Sequence, residues 1–285
     1  MGIFPAPPYN RPMSQTAQQS RIHRDCPACN APSARAASVR YQHPDWPMKQ
    51  CADCALVYLE YVPAYDALYD EIAWHKQHKK EEERRLKAMP ILARLDMATR
   101  WRLNILGDAT VAGGLNAWAP PGPVLDVGCA SGKGFDKLSA DHIPYGIEID
   151  AKIAEIARAN FEARGGRLVH ADGVGGLKQL PANFFTGVTL WSYLEHEANP
   201  REALEQVRRV VRDDAVVLIK VPNYACWNRS VLGRNWSGFR HPDHVQYFTP
   251  ATLGAMAERA GFKPHFRLYG LIPTNDNMYA TLRPA

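Results

Sequence analysis

Short apolar runs alternate along the second half of the chain with stretches of helical spacing. Val124-Leu125 opens a run that reads as a buried parallel strand, and Tyr145-Gly-Ile-Glu-Ile-Asp150 reads as a second. Leu168-Val169 begins a third, Phe185 to Trp191 a fourth and Ala215 to Val221 a fifth; Phe262 to Tyr269 and Asn277 to Leu282 close the chain. Between them a helix is expected from Phe135 to Ala140. A second runs from Ala151 to Arg164 and stops at Gly165-Gly166, and a third spans Arg201 to Val211. A fourth starts at an N-cap Thr249 with Pro250 in the first position and ends at Ala260-Gly261. Strands that alternate with helices predict an α/β fold around a mostly parallel sheet.

The turn after the first strand carries the chemistry. Asp126-x-Gly128-x-Ala130-x-Gly132 differs from the G-x-G-x-x-G of dinucleotide sites. Glycines at a strand-to-helix turn let the backbone approach a ligand and leave N–H groups facing it. The run resembles motif I of the class I S-adenosylmethionine (SAM) dependent methyltransferases, D/E-x-G-x-G-x-G, with Ala130 at the middle glycine narrowing the turn slightly. An acid about twenty residues further on is the usual ribose ligand, so the resemblance implies Glu148 in that role, with Asp150 as its neighbour. Leu168-Val-His-Ala-Asp172 resembles motif III, whose acid lies by the adenine amino group; Asp172 also suits a plain Asp-Gly turn. Leu194-Glu-His196…Pro200 resembles the loop after the fourth strand in small-molecule methyltransferases of the ubiquinone-biosynthesis type. The resemblance covers Pro120 to Ala285 and implies a Rossmann-like, seven-stranded class I methyltransferase sheet binding SAM through Asp126, Gly128, Ala130, Gly132, Glu148, Asp172 and Trp191.

A second constellation lies upstream. Cys26-Pro-Ala-Cys29 and Cys51-Ala-Asp-Cys54 are two C-x2-C knuckles separated by 21 residues, the spacing of a four-thiolate zinc ribbon. Disulfides fit less well, because no secretory signal is visible and Cys129 and Cys226 are left over. A site with four protein ligands is structural, since no position stays open for substrate. The residues after it, Ala55-Leu-Val-Tyr-Leu…Pro63, resemble the zinc-binding module of some sugar and natural-product methyltransferases. Similar modules precede the catalytic domain of certain ribosomal-RNA guanine methyltransferases, so both substrate classes stay open at this point.

Composition adds limits. The chain has 285 residues, 46% hydrophobic and 22% charged, with a net charge of +5, as in an ordinary globular protein. No stretch approaches the roughly twenty apolar residues of a membrane span. Residues 1–24 hold no Asp or Glu and four prolines and read as a disordered tail. The expected division is a tail at 1–24, zinc ribbon at 25–62, helical linker or cap at 63–118, and methyltransferase domain at 119–285. Within the linker, Tyr65 to Leu106 reads as mostly helical, and the charged run 75–87 reads as a solvated helix face rather than a nucleic-acid surface. Reduced thiols and a diffusible cofactor point to the cytoplasm.

Methyl transfer needs the acceptor aligned and, for a hydroxyl or ammonium group, a base. Imidazole suits that work near neutral pH. The candidates are Glu195 and His196 after the fourth strand, and His241 and His244 after the fifth, with His244 favoured because it leads back to an apolar run. Some relatives bind a divalent ion through Glu-x-x-Glu-His, but Ser192 holds the first position here, which implies a hydrogen-bonded motif that shapes the pocket. Trp191, Tyr193, Trp227, Trp236, Tyr247 and Phe248 can line an aromatic wall. Cys226 reads as a packed thiol. The combined expectation is a zinc-ribbon methyltransferase acting on a small molecule: a sugar, lipid-linked saccharide or secondary metabolite. An RNA methyltransferase is the runner-up, and a non-catalytic SAM-binding interaction module is a third reading.

Overall fold

The computed structural model describes residues 21–63, 110–267 and 275–285. The first stretch holds five short strands: β1 (Arg21–His23), β2 (Ala37–Ser38), β3 (Met48–Gln50), β4 (Val57–Leu59) and β5 (Tyr61–Pro63). β1 pairs antiparallel with β5, so Arg21–His23, inside the tail expected to run to residue 24, form a strand. β2, β3 and β4 form an antiparallel meander that carries the knuckle Cys51-x-x-Cys54 between its last two strands. The helical reading of Tyr65 to Leu106, the charged run within it, and residues 1–20 lie outside the described residues.

The second stretch begins with α1 (Val111–Trp118), capped by the Thr110 hydroxyl, which accepts from the Gly113 N–H. It continues through β6 (Gly122–Val127), β7 (His142–Glu148), α2 (Ala151–Glu162), β8 (Arg167–His170), α3 (Gly173–Lys178), β9 (Phe185–Trp191), α4 (Pro200–Val210) and β10 (Val211–Pro222). Then come α5 (Trp227–Leu232), β11 (Gln246–Tyr247), α6 (Pro250–Arg259), β12 (Phe262–Phe266) and β13 (Asn277–Pro284). The seven-stranded sheet has the order β12-β13-β10-β9-β6-β7-β8. Pairings from β10 to β8 are parallel, while β13 runs antiparallel to both β10 and β12. The chain winds outward from β6 through β7 to β8, then returns to the other side of β6 with β9. That reversal places a crevice beyond the carboxyl ends of β6 and β9. The expected Rossmann-like seven-stranded α/β sheet is therefore the observed one.

One expected element is absent. Lys133–Phe135 make a single 3-10 turn in place of a helix from Phe135 to Ala140. The carbonyls such a helix would have used find tertiary donors instead. The Arg164 guanidinium donates to the carbonyls of Phe135, Leu138, Ser139 and His142, and the Asn116 amide donates to Lys137 and accepts from Ser139. Other bounds moved little. β10 starts at Val211 through an irregularity before Val216, and residues 268–274, where the strand from Phe262 was expected to finish, lie outside the described set.

The ribbon is fused to the larger unit. β11, from the segment after β10, pairs antiparallel with β4, aligning Gln246 with Tyr58 and Tyr247 with Val57. The small sheet thus has the order β11-β4-β3-β2. Trp46, Met48, Val57 and Leu59 share one buried cluster with Trp236, Phe239, Val245 and Tyr247. Cys26, Leu56 and Tyr58 join the main core that also holds Leu194 and Phe248. Arg24 ties the seam. Its guanidinium donates to the carbonyls of Leu59 and Ala198, each at 2.9 Å, and to that of Val245. Burial lowers its pKa to about 10 despite the ring and thiol groups around it.

Candidate functional site

The glycine turn sits at the crevice. Gly128, Ala130 and Gly132 all adopt left-handed φ, at +73°, +47° and +79°. Glycine takes that conformation freely, whereas Ala130 does so under strain. Space also matters at Gly132, where a Cβ would lie 2.8 Å from Cε1 of Phe161. The N–H groups of Gly128 and Cys129 both donate to the Ile147 carbonyl, holding the turn against the end of β7. Glu148, last residue of β7, completes the fixation. Its Oε2 accepts from the Ala130 N–H at 2.8 Å, and its Oε1 accepts from the N–H groups of Ile149 and Asp150 at 2.9 and 2.8 Å. A carboxylate has about four lone-pair positions, so three are used and one, on Oε2, is left. Asp126 is buried and accepts from the Thr189 hydroxyl; burial pushes its pKa up to about 7.

The remaining cofactor candidates have other partners. Asp150 caps α2 by accepting from the N–H groups of Lys152 and Ile153. Asp172 caps α3 by accepting from Gly175, the turn role that its sequence also allowed. Trp191 lines a small pocket with Trp118, Leu218, Arg267 and Tyr279, with the Lys220 ammonium 5.6 Å from its ring centre. Tyr193, named among the aromatic-wall candidates, takes a position that its sequence did not specify. Its ring lies 3.2 Å from where a Gly128 Cβ would be, its hydroxyl lies against Gly173, and it donates to Glu197. Tyr193 therefore spans the gap between the glycine turn and the start of α3. No sequence pattern marks that side chain, because its placement follows from the left-handed Ser192 before it, at φ +54°.

The four knuckle cysteines converge. Their sulfurs lie within 4.8 Å of one another, with Cys26–Cys54 at 3.4 Å and Cys29–Cys51 at 3.5 Å. None is in a disulfide. A tetrahedron with zinc–sulfur bonds of about 2.3 Å spaces its sulfurs by about 3.8 Å, which this cluster fits. The knuckles are built alike. Cys26 N–H donates to Ala31 and Cys51 N–H to Leu56, while Asn30 and Ala55, both at φ +60°, turn the chain after the second cysteine of each pair. The Cys26 thiol and burial act on Cys54 in opposite senses; the hydrogen bond prevails and lowers Cys54 to about 5. The set can hold a metal ion.

Between the loop after β9 and the segment before β11 the structure brings together Glu195, His196 and His244, whose ligand-type atoms also lie within 4.8 Å of one another. His196 Nδ1 is 2.9 Å from Asp243 Oδ1, and Asp243 Oδ2 is 2.6 Å from Arg240 Nη2. Burial disfavours the charged ring of His196, but Asp243 outweighs it and holds the pKa up at about 9. Burial and the neighbouring His196 keep His244 well below the ordinary histidine range. His244 pairs through Nδ1 with the Gly238 carbonyl at 2.8 Å, and its ring meets that of His196 edge-on at 4.8 Å. Burial raises Glu195. His241 is placed differently. It stacks on His43 at 5.1 Å, touches Met48 Sδ at 3.2 Å and belongs to the ribbon seam. Its proximity to His244 in sequence does not become a shared site, because the intervening turn points the two rings to opposite neighbours. Cys226 is 1% exposed and burial pushes it up to about 11, a packed thiol.

A parallel sheet with its switch-point crevice, a left-handed glycine turn and an acid closing that turn define the class I SAM-dependent methyltransferase fold. The chain matches the family model of the Methyltransferase domain over residues 108–265, more than half its length, and it belongs to that family. The protein is a SAM-dependent methyltransferase. Among solved structures it is similar to a SAM-dependent methyltransferase from Archaeoglobus fulgidus, at 17% identity over 61% of this chain and 92% of that one, TM-score 0.47. One from Aquifex aeolicus matches at 14% identity over 61% and 89%, TM-score 0.46. A TehB-like methyltransferase from Corynebacterium glutamicum matches at 23% identity over 67% and 97%, TM-score 0.43. No curated protein matches the chain. No helix among the described residues is long and apolar enough to cross a membrane.

Proposed function

We propose that the protein transfers the methyl group of SAM to a small-molecule acceptor, a sugar, lipid-linked saccharide or secondary metabolite, and that the four-cysteine cluster holds a structural zinc ion. The observation that carries this reading is the pairing of β4 with β11. It welds the ribbon to the segment that returns from β10 past His241 and His244, so the ribbon serves as a wall of the acceptor side. An RNA-gripping module would instead need a free, basic face, and the ribbon's sheet and core are shared with the catalytic unit.

SAM, when bound, supplies an electrophilic sulfonium methyl. In this reading the turn residues Asp126, Gly128, Ala130 and Gly132 form its cradle, and Glu148 Oε2 accepts one ribose hydroxyl proton with the position its backbone partners leave open. Asp172, which caps α3, and Trp191, at the end of β9, complete the proposed cofactor set. His196, whose side chain is 21% exposed, donates to the acceptor oxygen. His244 donates its Nδ1 proton to Gly238, leaving Nε2 as the proton acceptor behind it. Glu195 and His241 hold the two segments in register around them. The test is an incubation with methyl-labelled SAM in which the label is partitioned among small molecules, RNA and protein. Recovery of the label in small molecules supports the reading, and recovery in RNA replaces it with the runner-up.

A further inference from the structure

The segment after β10 carries a helix that the core does not use. α5 buries none of its residues, and Trp227 is 63% and Val231 81% exposed. At i and i+4 they share one helix face, so two apolar side chains stand together in solvent. The helix is nonetheless held at both ends. Before it, Cys226 is buried. Behind it, the Asp276 carboxylate accepts from the Asn228 amide and the Trp236 indole, each at 3.0 Å, and from the Ser237 hydroxyl at 2.9 Å. Gly233 lies against the ribbon, where its Cβ would be 3.4 Å from the Tyr41 ring. Asp276 precedes Asn277, which pairs with Pro222 at the carboxyl end of β10. α5 therefore stands at the same edge of the sheet as the crevice. Trp227, a candidate for the aromatic wall, is outside the core that encloses Trp236.

The charge of this segment has one sign. From Ala215 to Pro242 the chain holds no Asp or Glu but carries Lys220, Arg229, Arg234 and Arg240. Arg240 is paired with Asp243, and Lys220 lies by Trp191. Arg229 donates to the Tyr224 carbonyl and lies 4.1 Å from that ring's centre, while Arg234 is exposed. Across the seam Arg40, also exposed, sits over Tyr41 at 5.4 Å. An indole beside an aliphatic side chain and guanidinium groups matches the boundary of a bilayer, where tryptophan is enriched and basic residues meet anionic headgroups. A tryptophan contributes at most about 250 Å² of contact, against roughly 800 Å² per partner in a stable protein–protein interface. A second protein finds too little apolar surface here, whereas a bilayer takes up isolated side chains without a shaped counterpart. We propose that α5 docks the protein on an anionic membrane surface, with Trp227 and Val231 entering the headgroup region and Arg229, Arg234 and Arg40 near the lipid phosphates. Docking there brings the crevice edge of the sheet to the bilayer. Resting on the small-molecule reading, this selects the lipid-linked saccharide among the proposed acceptors; the docking itself does not depend on that reading.

The test is co-sedimentation of the full chain with vesicles of mixed phosphatidylglycerol and phosphatidylcholine, compared with vesicles of phosphatidylcholine alone. Binding to the anionic vesicles is expected, falling as salt is raised. Trp227→Ala should weaken it about tenfold, and Trp227→Phe should restore most of the loss. Arg234→Gln should weaken it about fivefold, on the anionic vesicles only. All three side-chain changes are at exposed positions, so the melting midpoint should stay where it is. Absence of binding to anionic vesicles overturns the proposal, as does binding that Trp227→Ala leaves intact. Dimerisation in solution that Trp227→Ala abolishes would assign the face to a second copy and overturn it too. Methyl label in small molecules without vesicle binding removes the docking alone, and vesicle binding without methyl transfer removes the activity alone, so the two failures are distinguishable.

Discussion

Replacing Glu148 by Ala removes the acceptor of three backbone N–H groups, those of Ala130, Ile149 and Asp150. Taking only the net value of an ordinary hydrogen bond, about 1 kcal/mol per donor, the sum is about 3 kcal/mol, a lower bound for bonds to a buried charge. For a domain of this size that lowers the melting midpoint by roughly 6–12 °C. Loss of one ribose contact should also weaken SAM binding by about 1.5–3 kcal/mol, roughly 10- to 150-fold. Glu148→Gln separates the two roles. Its carbonyl can still serve Ile149 and Asp150, but its amide then faces the Ala130 N–H, donor against donor, so the strain falls on the glycine turn. Thermal denaturation with and without S-adenosylhomocysteine, together with titration calorimetry, reads both effects. A Glu148→Ala protein with unchanged midpoint and unchanged SAM affinity would refute the argument.

Ala55→Gly should stabilise the ribbon by roughly 0.5–1 kcal/mol, since left-handed alanine costs about 1–2 kcal/mol and glycine returns part of that in the unfolded chain; chelator-dependent denaturation measures it, and a loss would contradict it. Gly132→Ala should destabilise by about 1–3 kcal/mol, through its φ of +79° and the Phe161 ring 2.8 Å from the new Cβ, which denaturant titration checks. Stripping metal from the thiolate cluster should raise hydrogen exchange in β3 and β4 and also in residues 236–248, because β11 and β4 share a ladder; exchange confined to the ribbon would disprove the fusion of the two units.

Much of the fold was legible because local signals were strong. The fourth strand, Phe185 to Trp191, is observed with those bounds, since a run flanked by turn residues and buried on both faces has little alternative. Thr249 caps α6 through a reciprocal bond with Thr252, as Thr-Pro before an apolar run announces. The failures share one cause, partners distant in sequence. The helix from Phe135 is replaced by carbonyl contacts to Arg164, which no local window contains. β11 is two residues long and carries no periodicity, so its pairing with the ribbon was invisible. The apolar run after His244 was all that set it apart from His241 in sequence, and that His244 meets the His196 ring was not readable there, because ring direction is set by packing. Ser192 suggested a missing metal ligand, and the cluster with His244 lay outside any contiguous motif.

The direct test of the small-molecule reading is the fate of the methyl group. The protein should be incubated with methyl-labelled SAM and a heat-cleared cell extract, with Glu148→Ala as control, and the label separated into small-molecule, RNA and protein fractions. Label in small molecules that is absent from the control is the predicted result. Label in RNA contradicts it and would make the zinc ribbon a substrate clamp.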